Sequence, residues 1–136
     1  MDKVLSVLLV DDEPSVRGSL KLILEAMGFK VTACTNPIEG LAALKESSFD
    51  VILSDLKMPQ MSGVDFLALI RASGSSIPFI LMSGHATKND IDKARAYGIK
   101  TFLPKPFSPN ELLFELENLD IGVTAEEIRQ QIASAA

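Results

Sequence analysis

The chain has 136 residues, 47% hydrophobic and 23% charged, a composition that predicts one folded domain and argues against disorder. The formal net charge is −5 and the sequence has no basic stripe that would displace counterions from a phosphate backbone, so direct nucleic-acid binding is not expected. One histidine and one cysteine, Cys34, are too few for a typical zinc site, and a single thiol agrees with a reducing compartment.

The apolar segments are all shorter than about 20 residues, the length that a membrane-spanning helix requires. The N-terminal stretch MDKVLSVLLVDDE places acids directly after its apolar run and has no small-residue cleavage site, so no secretory signal is predicted. We therefore expect the protein in the cytoplasm, without a membrane partner.

Short apolar runs alternate along the chain with segments of helical periodicity. Strands are predicted at residues 4–10, 30–34, 51–54, 78–82 and 100–103. Helices are predicted at residues 14–27, 37–47, 62–73, 87–97 and 108–119. Strands that alternate with helices across short loops predict a parallel sheet with right-handed crossovers and helices on both faces, which is a doubly wound α/β fold.

Residues 1–120 are predicted to form this domain, and residues 121–136 a C-terminal tail. Residues 124–127 have the pattern of a capping box, which predicts a short helix that continues through Ile128 and Ile132. The tail is interpreted as an appendage or as the start of a linker, and no second domain of detectable size is expected in the sequence after Leu119.

Polar side chains follow four of the predicted strands, at the points where those strands end. Asp11 and Asp12 follow the first strand, Asp55 the third and Ser83 the fourth, and Lys105 follows the fifth. Parallel strands end at the same edge of a sheet, and ligands bind at that edge where the strand order reverses. We therefore expect three carboxylates, one hydroxyl and one ammonium to meet there, although an isolated acid at a strand end is usually only solvated.

This set of side chains fits phosphoryl transfer. Neighbouring carboxylates repel by roughly 4 kcal/mol at 4 Å and an effective dielectric near 20, so the cluster favours a cation. Hard oxygen ligands without imidazole or thiolate indicate Mg²⁺, or Mn²⁺ in its place. Asp55 is the predicted nucleophile, Asp11 and Asp12 hold the metal, and Lys105 and Ser83 bind the phosphoryl oxygens.

Four motifs identify a family that this sequence resembles. They are LLVDDEP at residues 8–14, SDLKMPQMSG at 54–63, MSGHA at 82–86 and LPKPF at 103–107. In this order and spacing they resemble the receiver domain of two-component response regulators, and the resemblance covers residues 4–119. It implies a five-stranded flavodoxin-like sheet of order 2-1-3-4-5.

The resemblance also implies a signalling role and residue assignments. Asp55 would accept a phosphoryl group from a histidine kinase or phosphotransfer protein. Asp11, Asp12, Asp55 and the backbone carbonyl of Lys57 would hold Mg²⁺. The output would be binding to a downstream protein target, with a phosphorylation-dependent dimer as one form of response. The receiver itself would not act as an enzyme.

Three further features bear on switching. In the family, the phosphorylated site with Ser83 and Lys105 is coupled to an aromatic residue on the fifth strand, which is Phe102 here. Many receivers have tyrosine there, so this chain lacks the hydroxyl, and Phe102 is open to interpretation as ordinary core. The Lys105–Pro106 peptide bond is typically cis in the family. The predicted helix at residues 87–97 has a weak apolar side, so we hypothesise that it moves when the site is filled.

Two alternatives remain open from the sequence. One is that the chain is a fragment of a longer transcription regulator, with residues 120–136 as its linker. The other is a Mg²⁺-dependent phosphohydrolase that uses an aspartyl-phosphate. Such enzymes usually have a second acid two residues after the nucleophile, where this chain has Lys57. His85 lies beside Ser83 and is interpreted as a solvated loop residue.

Overall fold

The computed structural model describes residues 4–99, 101–119, 126, 129, 130 and 133 of the chain. Among these described residues, no helix has the length and apolar character needed to cross a membrane. Residues 126, 129, 130 and 133 are helical and exposed, and the other residues of the predicted tail lie outside the described part.

Five parallel strands form one sheet of order β2-β1-β3-β4-β5. Their bounds are β1 Ser6–Val10, β2 Lys30–Cys34, β3 Val51–Asp55, β4 Phe79–Ser83 and β5 Phe102–Pro104. The register places Val10 opposite both Cys34 and Ser54, and Asp55 opposite Met82. The sheet order and the doubly wound class expected from the sequence are confirmed.

Four helices connect the strands and a fifth helix follows β5 within residues 4–119, and most begin at a residue that suits a helix start. Their bounds are α1 Pro14–Ala26, α2 Pro37–Glu46, α3 Gly63–Ala72, α4 Lys88–Ala96 and α5 Pro109–Asn118. The side chains of four N-cap residues accept hydrogen bonds from main-chain amides in the first turn: Asn36, Ser62, Thr87 and Ser108. Such caps satisfy donors that a helix terminus otherwise leaves without a partner.

The two faces of the sheet each carry a hydrophobic core. On one face, side chains of α1 and α5 such as Leu24 and Leu112 pack against alternate strand residues, among them Val7. On the other face, α3 supplies Phe66 and Leu67, with contributions from α2 and α4. The central strands are thus buried on both sides, as continuous apolar runs in a parallel sheet predict.

The observed elements differ from the expected ones at several ends. β1 begins at Ser6 and not at residue 4, and β5 begins at Phe102 and not at residue 100. Among the residues of α4, all of which are described, Ala94 is the buried one, which agrees with the weak apolar side seen in the sequence. A capping box formed by Thr87 and Asp90 opens this helix and compensates in part for its small core contact.

Candidate functional site

Three acidic side chains meet at the carboxyl edge of the sheet. One oxygen each of Asp11, Asp12 and Asp55 lies within 4.8 Å of the others. Asp11 is buried, Asp55 is partly buried and Asp12 is exposed, so the cluster opens from the sheet edge towards solvent. The sequence predicted this meeting because parallel strands end at the same edge of a sheet, and in the structure β1 and β3 are adjacent.

Asp11 is completely buried, and each of its polar groups has a partner. Its Oδ1 accepts a hydrogen bond from the Glu13 N–H at 2.9 Å, and its Oδ2 accepts one from Lys105 Nζ at 2.9 Å. Its main-chain N–H donates to the Cys34 carbonyl at 3.2 Å. Its own carbonyl accepts from Arg17 Nη1 at 2.9 Å. Both carboxylate oxygens of Asp11 are therefore held by hydrogen bonds, and its main chain is held at the N–H and at the carbonyl.

Asp55 is the last residue of β3, and its side chain is 13% exposed at the rim of the cluster. Burial is the main cause that raises its pKa to about 6. The ammonium of Lys105 acts in the opposite direction, whereas the charges of Asp11 and Asp12 raise the pKa further. Asp55 is thus largely ionised at neutral pH, and its oxygens are more basic than those of a solvated aspartate.

Lys105 brings the positive charge of the site. Its main-chain N–H donates to the Ser83 carbonyl at 2.9 Å, and its peptide bond to Pro106 is cis, as expected. Its Nζ lies 2.9 Å from Asp11 Oδ2 and 3.5 Å from Asp55 Oδ1. Burial lowers the pKa of Lys105, but the hydrogen bond and charge of Asp11, with the charge of Asp55, outweigh this and raise it.

The remaining predicted residues surround this centre. Ser83 is almost fully buried at the end of β4, and its hydroxyl accepts a hydrogen bond from the His85 N–H at 3.0 Å. Lys57 lies in the loop after β3 with an exposed side chain, and the side chain of His85 is also exposed. Phe102 is half-buried, lies opposite Leu81 in the sheet and packs against the core that α3 and α4 cover.

Gly63 holds the loop after Asp55 close to the sheet. Its N–H donates to the Leu56 carbonyl at 2.7 Å, and the Leu56 N–H donates to the Met82 carbonyl at 2.9 Å. A Cβ on Gly63 would collide with the Asp55 carbonyl oxygen and would lie 2.7 Å from Leu81 Cδ2. Only a residue without a side chain allows α3 to start this close to the end of β3.

A family model described as the response regulator receiver domain matches residues 7–117 of the chain. The chain belongs to the response regulator receiver domain family. Among curated proteins, the response regulator Rre1 of a Synechocystis strain is 37% identical over 122 residues, which are 88% of this chain and 53% of Rre1. The chain spans between 27% and 64% of the length of curated relatives such as Rre1, FixJ and PgtA.

Solved structures of other receivers share the fold. The chemotaxis protein CheY4 of Vibrio cholerae has a TM-score of 0.79 and 31% identity, over 84% of this chain and 97% of that chain. The receiver domain of the sensor histidine kinase PA1611 of Pseudomonas aeruginosa PAO1 has a TM-score of 0.78 and 28% identity, over 89% of this chain and 100% of that chain. That structure holds a magnesium ion coordinated in its active-site cleft.

The residues of this receiver fit a magnesium ion on chemical grounds. Three carboxylate oxygens within 4.8 Å of one another are the hard ligands that Mg²⁺ prefers, and Asp12 and Asp55 reach solvent, where a bound ion would keep some of its water. Lys105 Nζ already lies between Asp11 and Asp55, which indicates that positive charge is favoured at this position.

The structure also places residues at the site to which the sequence analysis assigned no role. Arg17 of α1 donates to the Asp11 carbonyl, and the Glu13 N–H orients the Asp11 carboxylate. The Glu13 contact follows from the turn after β1, which places an amide two residues beyond the acid. The Arg17 contact depends on how the side chain turns back towards β1, and residue spacing alone does not indicate that direction.

Proposed function

We propose that this receiver accepts a phosphoryl group on Asp55 from a histidine kinase or phosphotransfer protein and thereby switches its binding to a downstream protein. The observation that carries the proposal is the position of Lys105 Nζ, 2.9 Å from Asp11 and 3.5 Å from Asp55, beside three convergent carboxylates. An ion pair that only stabilises the fold would need Lys105 and one carboxylate, that of Asp11. Here two more carboxylates, those of Asp55 and Asp12, lie beside this pair on its solvent side.

In the proposed reaction, an ionised Asp55 oxygen attacks the phosphorus of a phosphohistidine, the phosphorus–nitrogen bond breaks and the imidazole leaves with the electron pair. A pKa of about 6 leaves Asp55 largely ionised at neutral pH and keeps it a competent nucleophile. The Lys105 ammonium is positioned to neutralise charge on the transferred oxygens. A bound Mg²⁺ would supply further neutralisation of the same phosphoryl oxygens.

Asp11, Asp12, Asp55 and the Lys57 backbone carbonyl are proposed to hold the metal. Support comes from the three converging carboxylates, and from the magnesium ion in the active-site cleft of the PA1611 receiver domain. Lys57 follows Asp55 by two residues, in a loop that the Gly63 N–H ties to Leu56.

For the switch, we propose that the Ser83 hydroxyl turns from the His85 amide to the phosphoryl group. The Ser83 carbonyl already accepts from the Lys105 N–H, so the two phosphoryl-binding residues are joined through the backbone. Movement of the loop after Ser83 would displace α4. This helix is weakly held, because Ala94 is the one residue among its described residues that is buried in the core. Phe102 of β5 packs against the same core cluster that contains Ala94 and would follow the change.

We propose that a groove beside the site is the binding surface for the phosphodonor protein. Its volume is about 490 Å³, and α1 and the start of α5 line it with Val16, Leu20 and Leu112. The groove reaches the phosphorylation site through Glu13 and Lys105. We propose that a helical donor packs here, because a partner on this apolar wall would bring a histidine to Asp55.

The proposal includes the wider setting of the chain. Residues 1–120 are assigned to the receiver and residues 121–136 to a tail or linker, and a cytoplasmic location suits a signalling domain with one thiol. The downstream response includes a phosphorylation-dependent dimer. We propose that the protein hydrolyses only its own phosphoryl group on Asp55 and no separate phosphoester substrate. The reason is that Lys57 stands where phosphohydrolases have a second acid.

The proposal is tested by intact-mass spectrometry after incubation with acetyl phosphate. Wild-type protein should gain a phosphoryl group only with Mg²⁺, and Asp55→Asn should gain none. Asp92→Asn, an exposed acid on α4, is the matched control and should behave as the wild type. Rapid turnover of an added phosphoester, or an adduct retained in Asp55→Asn, would refute the proposal.

A further inference from the structure

We propose that Arg17 is a positioning residue for the metal site of this receiver. The inference rests on the proposed function, because it concerns how Asp11 and Asp12 come to hold Mg²⁺. Arg17 lies in the first turns of α1, where its main-chain N–H donates to the Glu13 carbonyl at 2.9 Å. Its side chain turns back to β1, and Nη1 donates to the Asp11 carbonyl oxygen at 2.9 Å.

The bonded carbonyl belongs to the peptide unit that joins Asp11 to Asp12. Because a peptide unit is planar, a hydrogen bond to its oxygen fixes the orientation of the whole unit, including the direction in which the chain enters Asp12. The Asp11 carboxylate is held separately by Glu13 and Lys105. Asp12 is exposed, so the direction of the backbone beneath it contributes strongly to where its carboxylate lies.

Loss of the Arg17 bond would leave the carbonyl of a completely buried residue without this partner. A carbonyl in that position turns towards another donor or towards water, and the Asp11–Asp12 peptide turns with it. Asp12 would then leave the arrangement in which three carboxylate oxygens lie within 4.8 Å. The expected consequence is weaker Mg²⁺ binding.

The positive charge of Arg17 would by itself have the opposite effect on Mg²⁺ affinity. The direction in which the affinity changes therefore tests the inference. A guanidinium near a metal site repels a divalent cation, so removal of the charge alone would tighten Mg²⁺ binding. Glu39, whose Oε1 accepts from the Thr35 N–H at 2.9 Å, carries a negative charge that interacts with Arg17. The pKa of Glu39 is lowered mainly by its hydrogen bonds to Thr35, with a contribution from Arg17.

The experiment is an NMR titration of backbone amides with MgCl₂ at constant ionic strength, which measures the dissociation constant without any phosphoryl transfer. Arg17→Met keeps the apolar stem and removes the donor, and should weaken Mg²⁺ binding by roughly tenfold to a hundredfold, as loss of a residue that orients a metal ligand typically does. Arg17→Lys restores charge and length and should recover part of the affinity. Lys21→Met, one turn along α1 and exposed, should bind as the wild type.

Each result decides the inference. Equal or tighter Mg²⁺ binding in Arg17→Met would overturn it and would leave the wild-type metal site, and so the proposed function, intact. No Mg²⁺ binding by the wild type would overturn the proposed function itself. If Arg17→Met fails to give a folded spectrum, Arg17→Gln replaces it: its shorter neutral side chain should also weaken binding, and tighter binding would contradict the positioning role.

Discussion

Lys105 donates a hydrogen bond to Asp11 across the carboxyl edge of the sheet, with Nζ 2.9 Å from Oδ2. Asp11 is completely buried, whereas the Lys105 side chain is 21% exposed at the rim. A buried carboxylate without a cation is costly, so this ammonium stabilises the fold at the same place where it would bind a phosphoryl group. Stability and chemistry are therefore coupled through one contact.

Lys105→Met should lower the free energy of unfolding by about 3 kcal/mol in Mg²⁺-free buffer at neutral pH, because Asp11 loses its cation. Added Mg²⁺ should recover more stability in this variant than in the wild type, since the metal charge replaces the ammonium. Urea denaturation with and without Mg²⁺ measures both effects. Lys45→Met removes an exposed lysine of α2 and should change stability little; a similar loss in both variants would contradict the account.

Asp55→Asn should stabilise the metal-free protein at neutral pH. Asp55 has a pKa of about 6 in the folded protein and about 3.9 in an unfolded chain. Above the folded value the carboxyl is ionised in both states, and its burial destabilises the fold by about 2–3 kcal/mol. Below the unfolded value it is neutral in both states and this cost vanishes.

The difference in free energy of unfolding between Asp55→Asn and the wild type should therefore reach its maximum above about pH 6 and fall towards zero by about pH 4. Denaturation curves of both proteins over this range give the difference directly. A difference that grows as the pH falls would have the wrong sign, and would show that the ion pair with Lys105 dominates over burial.

Two glycine substitutions form a matched pair. Gly63→Ala should destabilise the protein by about 1–3 kcal/mol, because the new methyl group meets the Asp55 carbonyl and Leu81. Gly18→Ala lies in the middle of α1, where a Cβ has nothing within 4 Å, and should stabilise by about 0.5–1 kcal/mol. Thermal or urea unfolding tests both, and equal effects at the two positions would contradict the close approach of α3 to β3.

Filling the site with a beryllofluoride phosphoryl mimic and Mg²⁺ should change amide hydrogen exchange in α4 more than in α1. The reason is that α4 contributes one buried residue, Ala94, among those described, whereas α1 buries Leu20 and Leu24. Exchange followed by mass spectrometry or NMR measures the change. Identical exchange in α4 with and without the mimic would refute the proposed switch.

The sheet could be anticipated from the sequence because its signals are local and repeated. Five apolar runs separated by helical segments determine a parallel sheet, and caps such as Asn36 and Ser62 mark where helices begin. The order of the strands came from the family resemblance, since periodicity does not state which strands are neighbours. The predicted fifth strand included Thr101, whereas β5 is a three-residue edge strand that begins at Phe102.

The acidic cluster was predictable because strand ends in a parallel sheet lie at one edge, and the order implied by the family resemblance places β1 beside β3, which brings Asp11, Asp12 and Asp55 together. Contacts that depend on side-chain direction were not predictable. The turn of Arg17 towards the Asp11 carbonyl is one case, and the Ser83 hydroxyl facing the His85 amide is another. Both depend on rotamers that the surrounding structure selects.

The most direct test of the central claim is to locate the phosphoryl group after reaction with acetyl phosphate and Mg²⁺. Borohydride reduces an acyl phosphate to an alcohol, so a phosphorylated aspartate becomes homoserine, which peptide mass spectrometry assigns to one position. The account predicts homoserine at position 55, dependent on Mg²⁺. Reduction at Asp11 or Asp12 with Asp55 unchanged, or no reduction anywhere in a protein that binds Mg²⁺, would contradict it.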